Sequence, residues 1–260
     1  MNYRYGVVRD APDHRDRGVF RLAAPPMLPK AVNWENCLGP VKDQGQEGSC
    51  FAFAGAGQRE FLYRHYTQNE QRRRTVPPGG AIFSPQYLFY RVHELEGTLK
   101  QDCGGQIRSV VKTLNSLGVC LEKSDPYNSA SAWAIPTPAQ DTEAKLFEAG
   151  AYHRLATVDD MRSCLASGYA FLAGFGVYAS FEKSNWLESG VMPLPKAKET
   201  LLGGHAVLFF GYDDGRKAFN VRNSWGPDWC QGGNFWFPYQ AAADSGVLWD
   251  AWIQHLGKPW

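Results

Sequence analysis

Six cysteines, Cys37, Cys50, Cys103, Cys120, Cys164 and Cys230, are scattered through a chain of 260 residues with no CxxC pair and no CxxC/HxxxH grouping. Such spacing offers no structural zinc site and, at this density, no disulfide framework, so the default state of each is a small buried thiol. Cys50 stands apart. It follows Gly48-Ser49 and opens a run of small and aromatic residues, Phe51-Ala52-Phe53-Ala54-Gly55-Ala56, suited to a helix buried on most sides, with Ser49 as its N-cap. At a helix start, unpaired backbone N–H groups and the positive end of the dipole favour a thiolate, the nucleophilic form of cysteine. Taken alone, the same placement also fits inert packing.

A thiol nucleophile needs a base. His14, His65, His93, His153 and His255 lie in charged or polar settings and read as ordinary surface, whereas His205 opens the apolar run Ala206 to Phe210 and belongs at a strand end against a core. Asp213-Asp214-Gly215 reads as a three-residue hairpin loop followed by a strand over 217–223. A hairpin centred on Asp214 sets His205 opposite Asn223 on one face, about 5 Å apart at Cβ. The Asn223 amide would then fix the imidazole tautomer and leave the other ring nitrogen for Cys50. Attack on a carbonyl also calls for an oxyanion donor, and the Gly-punctuated loop before Cys50 supplies Gln44 and Gln46 as equal candidates.

The elements that must position these groups follow from pattern. Residues 1–30 are charged and Pro-bearing and read as an extended lead-in. A helix is expected from Cys50 to about Tyr66, a loop over Arg72 to Gly80, and a second helix opened by Ser84-Pro85. Ile107, Val110, Val111, Leu114 and Leu117 mark a third, stopped by Gly118. After a Pro-rich connection (Pro126 to Pro138), Thr157 and Asp160 bracket a short helix. Short β-like runs then occupy 169–178, 205–212, 217–223 and 234–237. A helical first half and a β-rich second half predict an α+β fold with a cleft between two lobes.

Composition narrows the function. Twenty-seven Lys and Arg against 26 Asp and Glu leave a formal net charge of +1, so no nucleic-acid partner is expected. The one basic run, Arg72 to Arg74, reads as a solvated loop. The longest apolar run, Ala206 to Phe210, is strand-sized, so no membrane partner is expected either. The charged N-terminus shows no secretory signal, which predicts a cytoplasmic protein or export by a route without a visible signal peptide.

The segments Pro40-Val41-Lys42-Asp43-Gln44-Gly45 with Gly48-Ser49-Cys50, then Gly204-His205-Ala206-Val207, then Asn223-Ser224-Trp225-Gly226 together resemble the papain-like cysteine peptidases. The resemblance runs in order from Val32 to Tyr239. It takes in Ser84-Pro85-Gln86-Tyr87-Leu88, Cys103-Gly104-Gly105, and Trp229 with Gly232-Gly233. It implies a papain-like two-lobe fold over 31–260, with a helical N-terminal lobe and an antiparallel, barrel-like C-terminal lobe. It also implies a protein or peptide substrate, and no metal or cofactor. Cys50 would be the nucleophile, His205 the proton acceptor and donor, and Asn223 its orienting partner. Gln44 and the Cys50 backbone N–H would form the oxyanion hole. Trp225 would shield the His–Asn bond, Gly104 and Gly105 would hold substrate backbone in extended form, and Gly204 would leave the specificity pocket uncharged, favouring an apolar or aromatic side chain.

The departures are specific. Glu47 stands where the family usually has a cysteine, whose partner is matched here by Cys103, so the cleft disulfide cannot form. Phe51 replaces a Trp or Tyr, and Cys230 replaces a Gly. His205 and Asn223 also lie farther from Cys50 than the roughly 130 to 150 residues usual in the family, which places insertions in surface loops. Residues 1–30 resemble the short N-terminal segments of bacterial members and are expected to lie over or beside the cleft and restrain activity. The competing readings are a related thiol amidase or isopeptidase, and an inactive peptide-binding module.

Overall fold

The computed structural model of the protein describes residues 4–14, 16, 27–67 and 81–257. In chain order the elements are β1 (Val7–Val8), β2 (Ala31–Asn33), α1 (Cys50–Thr67), α2 (Pro85–Glu96), β3 (Gly105–Gln106), α3 (Ile107–Ser116), α4 (Pro138–Lys145), β4 (Tyr152–Leu155), α5 (Val158–Ala166), β5 (Phe171–Tyr178), β6 (Leu201–Asp213), β7 (Ala218–Arg222), β8 (Asn234–Pro238), α6 (Tyr239–Ala242) and β9 (Leu248–Gln254).

The helical lobe forms where capping and periodicity agree. Ser84 accepts from the Tyr87 N–H with Pro85 at the first helical position of α2. The apolar stripe of α3, Ile107, Val110, Val111 and Leu114, is wholly buried, and Gly118 beyond its end adopts φ 73°. These helices enclose a core with Phe51, Leu88, Phe89 and Val92. The second lobe is a sheet ordered β4-β9-β5-β6-β7-β8, antiparallel throughout, with β2 on a further stretch of β6. Its core is aromatic: Phe171 stacks on Phe209 at 4.6 Å, and Phe175, Phe219, Phe235 and Phe237 surround them. This is the expected α+β, two-lobe arrangement. Helix α1 packs against β6, which brings Cys50 to the strand that carries His205.

Several expectations are corrected. The hairpin loop is longer than three residues, with Lys217 held at φ 51°, and the ladder shifts between Phe209 and Gly211. Leu208 therefore lies opposite Arg222, and β7 ends before Asn223, so His205 and Asn223 are not cross-strand partners in the ladder. Strand β9 was not expected because it is buried on nearly every residue and lacks period-two alternation. Helix α4, not expected from sequence, opens at the end of the Pro-rich connection, where Thr137 and Gln140 form a capping box around Pro138. His93 is fully buried against Phe51, Phe89 and Trp133 rather than at the surface, with Nδ1 2.8 Å from Thr98 Oγ1. The Ser49 hydroxyl turns towards Tyr127 OH, 3.0 Å away. The loop expected over Arg72 to Gly80 lies outside the described residues. Among the described residues no helix is long and apolar enough to cross a membrane.

Cys230 occupies a left-handed backbone position, φ 47°, which explains why glycine suits it better. Cys230→Gly is expected to raise unfolding free energy by about 0.5–1 kcal/mol, relief of strain outweighing glycine's entropy cost, and urea midpoints at constant m would show it.

Candidate active site

Cys50, the first residue of α1, is fully buried, and the backbone N–H groups of Ala206, next to His205 on β6, and of Gly6, Phe51 and Cys50 itself favour its thiolate against that burial. His205, also fully buried, donates through Nε2–H to Asn223 Oδ1 at 2.7 Å. That oxygen accepts the Ser224 N–H as well, at 2.8 Å, and an amide oxygen only accepts, so the imidazole proton is placed on Nε2. Nδ1 is left without a hydrogen-bond partner. Trp225 lies tilted over the ring, centroids 4.8 Å apart.

Gln44 is held on both sides of its amide. Ser224 Oγ–H donates to Oε1 at 2.6 Å, while Nε2 donates to the carbonyl oxygens of Glu47 at 2.8 Å and Arg4 at 3.3 Å. The loop itself is zipped to the segment after β7: the Gln44 N–H donates to Ser224 O, the Gly226 N–H donates to Lys42 O, and Asp43 bridges Trp225. All four residues expected to carry the chemistry thus converge, and Ser224, assigned no role from sequence, ties two of them together. Gln46, the equal candidate on sequence, is exposed.

Burial sets the protonation states. It pushes the Cys50 thiol up to about 11 and the His205 imidazole down to about 4, against the opposing pulls of backbone N–H groups on the thiol and of Asn223 on the imidazole. Both groups are therefore neutral in this state. Among the described residues no three His, Cys, Asp or Glu side chains are grouped to hold a metal ion.

A sequence model of the papain family of cysteine proteases matches residues 28–251. The chain belongs to that family. It is 32% identical to an uncharacterised peptidase C1-like protein of Acanthamoeba polyphaga mimivirus, over 97% of this chain and 87% of the relative. It is 31% identical to Cathepsin B-like CP3 of Giardia intestinalis, over 84% and 70%. Among solved structures it is similar to xylellain, a cysteine protease from Xylella fastidiosa, with TM-score 0.87 and 33% identity over 98% of this chain and 96% of that one. A digestive procathepsin L 3 of Tenebrio molitor larval midgut shares the fold at TM-score 0.67 and 18% identity, covering 93% of this chain and 75% of that one.

In this papain-family protease the glycines expected to meet substrate meet the chain's own N-terminus. The Gly105 N–H donates to Gly6 O at 3.1 Å, and β1 runs parallel to β3 with Val7 opposite Gly105. A Cβ on Gly104 would lie 2.6 Å from the Gly6 carbonyl carbon, and one on Gly204 would lie 2.4 Å from Val7 O. Val7 is buried against Gly174 and Ile107, and Tyr5 packs edge-on to His205, centroids 6.3 Å apart. The position of the missing disulfide is also resolved. Cys103 is exposed, and the neighbouring Asp102 instead faces the loop, accepting the Gly48 N–H at 3.1 Å. Tyr127 OH lies 2.8 Å from Gln44 O, 2.9 Å from Glu47 Oε2 and 3.0 Å from Ser49 Oγ, so one phenol braces the loop that a covalent bridge would otherwise hold. Neither Tyr127 nor Asp102 had any local signal in sequence.

Proposed function

We propose that the protein hydrolyses peptide bonds through a Cys50–His205–Asn223 site with Gln44 as oxyanion donor, and that its N-terminal segment restrains this activity. The observation that carries the reading is the Arg4 carbonyl hydrogen-bonded to Gln44 Nε2: the amide aimed beside Cys50 already receives a peptide carbonyl. In the reaction, His205 Nδ1 takes the thiol proton and Cys50 Sγ attacks the substrate carbonyl carbon. Gln44 Nε2 and the Cys50 N–H hold the oxyanion. His205 returns the proton to the leaving amine as the C–N bond breaks, leaving a thioester on Cys50. His205 then deprotonates water, which attacks the thioester; the acid leaves and the thiol is restored. Asn223 keeps the reactive tautomer throughout, and Trp225 keeps water from the bond that does so.

Restraint follows from occupancy. The Gly6 carbonyl accepts the Gly105 N–H, the Arg4 carbonyl accepts from Gln44, and Gly204 is covered by Val7. The same contacts suggest that an aliphatic side chain fits where Val7 sits.

Incubating the full chain with a peptidyl epoxide and mapping the adduct by mass spectrometry tests the reading. An adduct confined to Cys50 is expected. Absence of an adduct both in the full chain and in a folded Val7→Asp chain, whose segment is released, while iodoacetamide still alkylates Cys50, would leave a peptide-binding module in its place. Ser224→Ala, which frees Gln44 Oε1, is expected to lower kcat about tenfold with KM within about twofold, because the oxyanion forms only after binding.

A further inference from the structure

One phenol stands among the oxygens of the loop that carries the site. Tyr127 OH lies 2.8 Å from Gln44 O, 2.9 Å from Glu47 Oε2 and 3.0 Å from Ser49 Oγ, so it touches both ends of the loop and its middle. Tyr127 is held from elsewhere: its backbone N–H donates to Glu122 Oε1 at 2.9 Å, and its ring meets Phe53 of α1 edge-on, centroids 4.7 Å apart. A phenol has one hydrogen to give, and burial keeps it in place by pushing the Tyr127 ionisation upward. The Gln44 carbonyl can only accept, so at 2.8 Å it takes that hydrogen. The Ser49 hydroxyl turns its own hydrogen to the phenol oxygen. An ionised Glu47 would then bring a second bare acceptor to 2.9 Å, with no hydrogen between the two oxygens.

We propose that Glu47 is a neutral carboxylic acid that donates to Tyr127 OH, and that this proton fixes the loop so that Gln44 Nε2 and the Cys50 N–H face one oxyanion. Glu47 and Tyr127 are then positioning residues, and the inference rests on the peptidase reading above, whose oxyanion site they hold. The charges around Glu47 agree. Asp102, ahead of β3, lies close enough for like charges to repel, and Arg4 of the N-terminal segment pairs with Asp102. His93 on α2 is neutral beside Asp102, because burial holds its imidazole down to about 4. Burial raises the Glu47 carboxyl from 4.5 to about 7, with Asp102 adding to it. A raised value means that protonation favours the clamped loop: the contribution is complete below about pH 4.5 and is lost as pH rises through about 7. On ionisation Glu47 draws the phenol hydrogen away from Gln44 O, and the oxyanion donor loses one of its backbone tethers.

The test compares the full chain with Glu47→Gln, whose amide N–H can donate to the phenol at every pH, and with Tyr127→Phe. Infrared difference spectra between the full chain and Glu47→Gln read the acid directly: a protonated carboxyl stretch is expected at about pH 5.5 and is expected to vanish by about pH 8.5. For peptide hydrolysis, the quotient of kcat in the full chain over kcat in Glu47→Gln cancels every titration the two share, those of Cys50, His205 and Asp10 included. It is expected to fall about tenfold between about pH 5.5 and 8.5, with the KM quotient within about twofold, because the oxyanion forms only after binding. Tyr127→Phe is expected to lower kcat about tenfold at the lower pH and to leave its own quotient over Glu47→Gln flat. A brace that worked by shape alone would change kcat equally at both pH values. No carboxyl band in the acidic spectrum, or a flat quotient for the unaltered chain, would overturn the proposal. A titrating band with no hydrolysis at any pH and no epoxide adduct on Cys50 would remove the peptidase reading itself, and the positioning role with it.

Discussion

Replacing Cys50 with Ala is expected to lower kcat for peptide hydrolysis by at least about 10^4-fold while leaving the urea midpoint close to that of the unaltered chain. The loss is large because the covalent route disappears as a whole: without Sγ there is no thioester, and His205 has no thiol proton to take. His205→Ala should cost a similar factor, and the double variant no more than either single one, since the two groups act as a unit. Gln44→Ala removes one of two oxyanion donors and is expected to cost about 10^2 to 10^3 in kcat. A Cys50→Ala protein that retains more than a hundredth of the activity would rule out the proposed nucleophile. The fold should tolerate the change, since alanine removes a single buried atom from a core that also holds Phe51, Leu88, Phe89 and Val92.

Opening the cleft is the second large effect expected. Val7 is buried between Ile107 and Gly174, and Val7→Asp would put a carboxylate there with no partner. Loss of one buried valine is worth about 2 kcal/mol, so the balance between the docked and released segment should shift by at least about 30-fold. The rate of Cys50 alkylation by a peptidyl epoxide is expected to rise by that factor. Release returns water to Cys50 and His205, removing the burial that holds the thiol high and the imidazole low, so a thiolate–imidazolium pair becomes accessible. An unchanged rate in a folded Val7→Asp protein would mean that the segment does not restrain the site.

Docking should also depend on pH through Asp10. Its backbone N–H donates to Asp250 Oδ2 at 2.8 Å, and its carboxyl accepts the Trp252 Nε1–H at 2.8 Å and the Arg108 N–H at 3.1 Å. Burial, with Asp250 adding to it, raises the Asp10 carboxyl from 3.8 to about 6. A raised value in the docked state means that protonation favours docking. This contribution is complete below about pH 3.8 and is lost as pH rises through about 6. In the unaltered chain, Cys50 labelling should therefore accelerate between about pH 4 and 7 beyond the thiol's own titration, and Asp10→Asn should flatten that excess.

Candidates for the proposed chemistry were legible in the sequence because they depend on residue types and local pattern. A cysteine after Gly48-Ser49 at the head of a buried helix, a histidine opening an apolar strand and a glutamine in a glycine-punctuated loop mark such candidates, while inert packing and Gln46 stayed open until the segments were read together as a papain-like resemblance. Caps and periodicity placed α2, α3 and α5 in the same way. The hairpin register was not legible, because a loop longer than three residues already displaces the pairs nearest it and a bulge after Phe209 shifts those beyond, neither with a local mark in the sequence. His205 nevertheless meets Asn223, since the residue following β7 is carried back to the ring by its own N–H bond to Gly233 O. What only the tertiary structure decided is what covers and borders the site. Arg4, Gly6 and Val7 are unremarkable in a charged lead-in. They acquire meaning because Gly104, Gly105 and Gly204 let backbone approach closely, and because Asp102 and Gln44, distant in sequence, stand where one arginine can reach both. Contacts of that kind depend on shape assembled across the whole chain, which no local pattern of side chains encodes.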